Sequence, residues 1–372
     1  MNILSLRFKF GQTYSIILVG TVKGFMMFNI HNEGLEKTIS NDMKNEKTQG
    51  SGIGLYDSLD NTNIAILVGG GELPVAAPNR FLIIDTHKKR TDNNKGGLKK
   101  TIGIKDKIVN AFIVREIDGE QEKTQIIIVT KKEVHLHTIN GELVATKATC
   151  ENTKGLCCVV CSSSPVVPLT IAYPGPNIGE IVIWRPAQDN CLVIKAHDTE
   201  ITNIALSFDG KQIVTTSKNA TNVHVYNTSN LNSNSSDHLL HQFRRNTNVM
   251  KMIGETSLLG GLQNNSQILN VCISDNKEYV ACCSSNGTIH IFDTKSTDDS
   301  QNKKSSFSFL KTVSNFFDSK WAMHTISIGI QGNMICGFDK NNNLHIAAYN
   351  GDYFFLAERE NFKLKCYSLN TM

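Results

Sequence analysis

The chain keeps returning to one unit. An apolar alternating run leads through a short turn to a second run, then through a glycine or polar turn to a third, which closes on an aromatic or aliphatic pair before Asn, Asp or Thr. The clearest copy reads Ile201 to Phe208, the turn Asp209-Gly210, then Gln212-Ile213-Val214-Thr215-Thr216-Ser217 and Asn222-Val223-His224-Val225-Tyr226-Asn227. The next copy repeats it with Ile268 to Ser274, Tyr279 to Ser284 and Gly287-Thr288-Ile289-His290-Ile291-Phe292-Asp293. Earlier copies begin at Leu4-Ser5-Leu6-Arg7-Phe8 and run through Ile64 to Val68, Val109 to Val114 and Cys157 to Val160. A seventh runs from His324-Thr325-Ile326-Ser327-Ile328 through Met334 to Phe338 and on to Leu356. Each run has the two-residue period of a strand and many β-branched residues. No stretch holds a helical period long enough to argue for a sizeable helix. A three-stranded sheet with two apolar faces cannot stand alone, so such units stack around an axis. The reading is all-β: residues 1–372 form a single seven-bladed β-propeller, its ring closed by the N-terminal strand completing the last blade.

The connections differ in character. Residues 31–61, 86–104 and 228–237 are rich in Asn, Lys or Gly and read as flexible polar loops. Residues 294–320 begin polar and then turn apolar at Phe307-Ser308-Phe309-Leu310, with Phe316-Phe317 following.

Composition excludes several classes. The formal net charge of +4 is too small for wholesale nucleic-acid binding, so any anion site is local. No run is long enough to span a bilayer, and the N-terminus lacks the apolar stretch of a signal peptide, which points to the cytoplasm. The ten cysteines are scattered. Cys157, Cys158 and Cys161 approach a metal spacing, but no second Cys or His pair follows, so they read as buried free thiols with no metal and no cofactor. No paired carboxylates and no Ser-His-Asp set converge in a plausible register, so an enzyme is not expected.

One stretch breaks the apolar rule. In Leu239-Leu240-His241-Gln242-Phe243-Arg244-Arg245 two arginines follow an aromatic. Each guanidinium keeps its charge and offers a rigid fork of donors suited to phosphate or carboxylate. Neighbouring side chains on a strand point to opposite faces, so this pair can serve two pockets, one on each side.

Here the sequence resembles the PROPPINs, WD-repeat-like propellers that bind phosphoinositides. The resemblance spans nearly the whole chain. It rests on Gly20-Thr21-Val22-Lys23-Gly24-Phe25 with Phe28-Asn29, on Val68-Gly69-Gly70-Gly71 with Pro78-Asn79-Arg80, and on Ala172-Tyr173-Pro174-Gly175. Lys195-Ala196-His197-Asp198, Gln242-Phe243-Arg244-Arg245, Ser284-Ser285-Asn286-Gly287-Thr288 and Lys320-Trp321-Ala322 follow in order. The family's signature is Phe-Arg-Arg-Gly; this chain has Asn246 in place of the glycine, and Asn is the side chain best tolerated at positive φ.

The resemblance implies two lipid-headgroup sites on the propeller rim. Arg244 would join His197, Ser217 and Thr221 in one, and Arg245 would join Ser284, Ser285 and Thr288 in the other. His197, if protonated, would strengthen binding toward mildly acidic pH. Phe307, Phe309 and Leu310 of the long sixth-blade loop would enter the membrane. The implied function is that of a monomeric peripheral membrane protein, bound to phosphatidylinositol 3-phosphate and 3,5-bisphosphate on autophagic, endosomal or vacuolar membranes. There it would recruit autophagy or trafficking proteins. The alternative is a propeller scaffold whose arginines bind acidic protein partners without lipid.

Overall fold

A computed structural model describes residues 2–11, 14–31, 34–42, 50–87, 97–118, 121–163, 166–218, 222–229, 238–245, 266–295, 320–348, 353–357 and 364–368. Their strands, numbered in chain order, form seven antiparallel sheets. Sheet 1 holds β1 (Ile3–Phe10), β2 (Ser15–Thr21), β3 (Gly24–His31) and β4 (Gly34–Asp42). Sheet 2 holds β5 (Ile53–Ser58), β6 (Ile64–Gly69), β7 (Arg80–Asp85) and β8 (Leu98–Gly103). Sheet 3 holds β9 (Ile108–Asp118), β10 (Gln121–Thr130), β11 (Glu133–Thr138) and β12 (Leu143–Ala148). Sheet 4 holds β13 (Cys158–Ser163), β14 (Val166–Pro174), β15 (Glu180–Arg185) and β16 (Asn190–Lys195). Sheet 5 holds β17 (Ile201–Leu206), β18 (Gln212–Ser217), β19 (Asn222–Asn227) and β20 (Leu239–Arg244). Sheet 6 holds β21 (Ile268–Ile273), β22 (Tyr279–Ser284), β23 (Thr288–Asp293) and β25 (His324–Ser327). Sheet 7 holds β26 (Met334–Phe338), β27 (Leu344–Ala348), β28 (Tyr353–Ala357) and β29 (Leu364–Ser368), while β24 (Lys320–Trp321) pairs parallel with β20.

The second strand of each sheet is covered on both faces over most of its length, which is why β6, β22 and the second half of β10 read as nearly unbroken apolar runs. Their side chains fill an apolar core between each sheet and the next. Leu18 and Phe25 meet Tyr56 and Leu67 between sheets 1 and 2. Val214 and Phe243 meet Val280 and Phe292 between sheets 5 and 6. Sheet 7 returns to sheet 1 through Ala347 against Val19 and Phe28. The architecture is an all-β propeller.

Polar side chains on the inner strands stitch neighbouring sheets. The Ile113 amide donates to Asp57 Oδ2 at 2.9 Å, Asn203 Nδ2 donates to the Ile268 carbonyl at 3.0 Å, and the Cys336 amide donates to Asn270 Oδ1 at 2.9 Å. Each such bond satisfies a backbone group facing the axis that would otherwise lack a partner.

Several expectations are corrected. The N-terminal strand does not complete the last sheet: β1 pairs with β2, and sheet 7 draws all four strands from residues 334–368. The contact between sheets 7 and 1 is made by side chains. The run His324–Ser327 is not the start of the seventh unit but the outer strand of sheet 6, paired with β23. Residues 31–61 are not simply loop, since they supply β4 and β5, and residues 86–104 supply β8. The outer strands escape a reading based on apolar alternation because solvent reaches them; β8 is exposed at five of its six positions. In the other two stretches read as loops, residues 230–237 and 296–319 lie outside the described residues, and with them Phe307, Phe309 and Leu310.

Candidate functional site: two grooves flanking sheet 5

The end of β20 sets the geometry. Phe243 is fully buried, stacks on Phe292 with ring centroids 4.9 Å apart, and belongs to the core between sheets 5 and 6. Arg244 is the next residue on the strand, so it turns to the opposite face, toward sheet 4. The register shows its company there. Asn222 pairs with Arg244, His224 with Gln242 and Thr215 with His224, so these residues line one face, with Ser217 two positions beyond Thr215. Ile213 and Tyr226, further along that face, sit in the core against sheet 4. Arg245 turns back toward sheet 6. Its Nη1 donates to Ser284 Oγ at 3.0 Å, and its Nη2 donates to the Ser266 carbonyl. The two guanidiniums therefore occupy different grooves.

In the groove toward sheet 6, Arg245 is only 5% exposed and Ser284 is fully buried. Neutral groups hold Arg245, and no carboxylate partners it among the described residues. Burial lowers its pKa, but guanidinium remains charged at any pH a protein survives. The turn from Ser284 to Gly287 joins β22 to β23 through the Gly287 amide on the Ser284 carbonyl. Gly287 has φ +82°, and a Cβ there would lie 2.4 Å from the Ile330 carbonyl oxygen, so only glycine fits. Ser285 is tied to Gln267, whose amide donates to Ser285 Oγ at 3.1 Å, and the Thr288 amide donates to Asn286 Oδ1 at 3.2 Å.

Reading the sequence missed His290. It pairs with Cys282 across β22 and β23, which places it on the same face as Ser284 and Thr288. Its ring is buried, its Nδ1 has no hydrogen-bond partner, and burial with the neighbouring Arg245 charge holds its pKa down to about 4. The available signal was the two-residue spacing from Thr288.

The groove toward sheet 4 is built differently. His197 is buried, with Nε2 2.9 Å from Thr215 Oγ1 and its ring stacked on His224 at 4.3 Å and 11°. His224 is itself held by Nδ1 at 3.0 Å from the Ala196 carbonyl, which also accepts from the Tyr226 hydroxyl at 2.7 Å. Burial, and then the His224 ring, lower the His197 pKa to about 3. His197 is therefore neutral at physiological pH, and the expectation that it adds charge under mild acid is overturned. Arg244 is partly buried, which lowers its pKa, and Ser217 is buried at the end of β18. Thr221 and Asn246 lie outside the described residues.

Comparison with known proteins gives a consistent picture. Residues 189–223 and 257–293 match the WD domain, G-beta repeat. The chain is 27% identical to SVP1-like protein 2 of Neurospora crassa over 76% of its own length and 54% of that protein's. It is 25% identical to Autophagy-related protein 18e of Arabidopsis thaliana, over 92% of this chain and 80% of that one. Autophagy-related protein 18 of Dictyostelium discoideum is 28% identical over 76% of this chain and 63% of its own length. The match thus spans only about half to four fifths of these relatives. Among solved structures, Kluyveromyces lactis Hsv2 superposes with a TM-score of 0.67 at 16% identity, covering 99% of both chains. The complex of KlAtg21 with the coiled-coil of AgAtg16 gives 0.67 at 17% identity, covering 98% of this chain and 99% of that one. With WD repeats and an arginine pair at the end of β20, the chain is similar to SVP1-like and Autophagy-related 18 proteins and shares the propeller fold of Hsv2.

Proposed function

We propose that this chain is a peripheral membrane protein that binds phosphoinositide headgroups, one in each groove beside sheet 5. In this reading each of the seven sheets is one blade of a seven-bladed ring, and the grooves open at its rim. The observation that carries it is Arg245, a nearly buried cation held by neutral groups. Such a charge is costly unless an anion completes its shell. A phosphate monoester suits it, with more than one negative charge and several acceptor oxygens for the guanidinium and hydroxyl donors around it.

One headgroup contact exposed to water and salt gives binding in the micromolar class, about 8 kcal/mol. Two on one membrane raise avidity by a factor of roughly a hundred or more. Phosphatidylinositol 3-phosphate and the 3,5-bisphosphate are the proposed ligands, with Ser217 and Thr221 beside Arg244, and Ser285 and Thr288 beside Ser284. Phe307, Phe309 and Leu310 add an apolar anchor. The protein then acts as a monomeric recruiting surface for autophagy or trafficking factors on autophagic, endosomal or vacuolar membranes, as a binder and not a catalyst. The names of its relatives and of the coiled-coil complex support that reading.

The test is flotation with vesicles containing phosphatidylinositol 3-phosphate. Wild type floats, and Arg244→Thr with Arg245→Thr stays at the bottom while keeping its circular dichroism. Undiminished flotation of the double variant would leave the arginines to an acidic protein partner.

A further inference from the structure

Three of the ten cysteines gather where sheets 6 and 7 meet, and headgroup binding uses none of them. Cys272 lies on β21 and Cys336 on β26, the inner strands of the two sheets, and both side chains join the core between them. The Cys272 thiol donates to the Cys336 sulfur at 3.5 Å. Cys283, from the neighbouring strand β22, belongs to the same core cluster. Cys282 is the next residue on β22 and faces the other way, into the core toward sheet 5.

The pair is exceptionally placed for sulfur chemistry. Cys336 is held in place: its amide donates to the Asn270 side-chain Oδ1, so the backbone of β26 is already tied to a β21 side chain at that level. Its side chain, 5% exposed, lines a cavity of about 480 Å³ that runs among the inner strands, where Arg7, Asn110 and Asn203 also contribute. A small oxidant has room there. The Cys336 sulfur accepts from Cys272 and itself donates to Asn270 Oδ1 at 3.3 Å, while burial pushes the Cys272 and Cys283 thiols up. The thiolate is the reactive form, and Cys336, the member of the trio that lines the cavity, is the one an entering peroxide meets. No set of His, Cys, Asp or Glu among the described residues is arranged to hold a metal.

We propose that Cys272 and Cys336 form an oxidative modification site, a reversible disulfide between sheets 6 and 7 produced by a hydroperoxide. The Cys336 thiolate attacks one peroxide oxygen, the O–O bond breaks and hydroxide leaves, giving a sulfenic acid on Cys336. The Cys272 sulfur then attacks that sulfenic sulfur, the S–O bond breaks, and the departing hydroxide takes the Cys272 proton as water. The peroxide is reduced to water and two thiols are oxidised to one disulfide. The sulfurs need to approach from 3.5 Å to bonding distance, a movement between two packed sheets rather than within one strand. The product pins β21 to β26 and holds sheet 6, with Ser284 and Thr288, against its neighbour. A thiol reductant reverses it.

The test uses the full chain, purified under reductant, desalted, treated with hydrogen peroxide at neutral pH, and alkylated under denaturing conditions before non-reducing peptide mapping. The expected result is one cross-linked peptide pair joining Cys272 to Cys336, lighter by two hydrogens and released by dithiothreitol. Cys272→Ser and Cys336→Ser each remove it. Thermal unfolding of the oxidised wild type shifts upward and returns on reduction, a shift absent from Cys272→Ser. Full alkylation of both cysteines while exposed Cys366 is oxidised would overturn the proposal, as would a link from Cys336 to Cys283 instead. If either serine variant fails to fold, the wild-type peptide map decides alone.

Discussion

The two grooves beside sheet 5 are built from the same register but finished in opposite ways. On the sheet 6 side the cation is nearly buried and bonded to Ser284, while the histidine beside it, His290, has a ring nitrogen without a partner. Toward sheet 4 the histidines are knitted together, His197 onto Thr215 and His224 onto Ala196, and the arginine is the more open group. One groove buries its guanidinium almost completely; the other buries its histidine wall and leaves the guanidinium more open. A cation in a drier setting interacts more strongly with an anion, so the sheet 6 groove should bind the tighter headgroup.

The largest effect expected is from Arg245→Ala. It lowers affinity for vesicles by roughly a hundredfold and leaves one soluble headgroup bound per chain in calorimetry. It also lowers the unfolding midpoint, because a buried Ser284 hydroxyl without its partner costs about 1–3 kcal/mol. Arg244→Ala comes next, with a comparable loss on vesicles and a smaller change in midpoint. If the midpoints fall equally, the contrast between the grooves is lost. Ser284→Ala is milder, weakening the tighter headgroup site about fivefold, on the order of 1 kcal/mol, and leaving the other untouched. An equal effect at both sites in headgroup titrations would merge the two grooves into one.

The smallest effect concerns pH. His197 is held near 3 and His290 near 4 in the folded protein, below the usual histidine value. The unfolded chain therefore takes up these protons first on acidification. Their neutral burial costs nothing above pH 6.5 and removes stability as pH falls from there, toward 4 for His290 and 3 for His197, by about 1.4 kcal/mol per unit for each ring. His197→Gln should flatten the decline of the midpoint between pH 7 and 5 while leaving the pH profile of headgroup binding unchanged. An acid-enhanced binding that vanished in this variant would mean the sheet 4 histidine is charged after all.

Sequence showed what alternation can show. The buried second and third strands, such as β18 and β19, announce themselves by apolar period and β-branched residues. The outer strands do not, because β4 and β8 are polar and face water on much of their surface. The seam between sheets 7 and 1 was misjudged for a related reason: the fourth strand of sheet 7, Leu364–Ser368, was not counted and His324–Ser327 was taken into that unit. The opposed arginines were legible from strand geometry alone. The protonation of His197 was not, because it depends on a ring stack with His224 and a bond to Thr215, contacts that join β16's end to β18 and β19. Nor was His290, whose neighbour Arg245 lies 45 positions away in the chain.

The self-contained sheets bear on how the ring is made. Sheets 1 to 4 and sheet 7 each come from one contiguous stretch, with every strand hydrogen-bonded to its sequence neighbour. Contacts so local close quickly, and a chain leaving the ribosome can zip each such unit before the next is synthesised. Sheets 5 and 6 are the exception, since each waits for a strand beyond residue 319. The headgroup grooves should therefore be among the last parts of the molecule to mature, and a nascent chain halted before that point would carry its arginines without a finished place to put them.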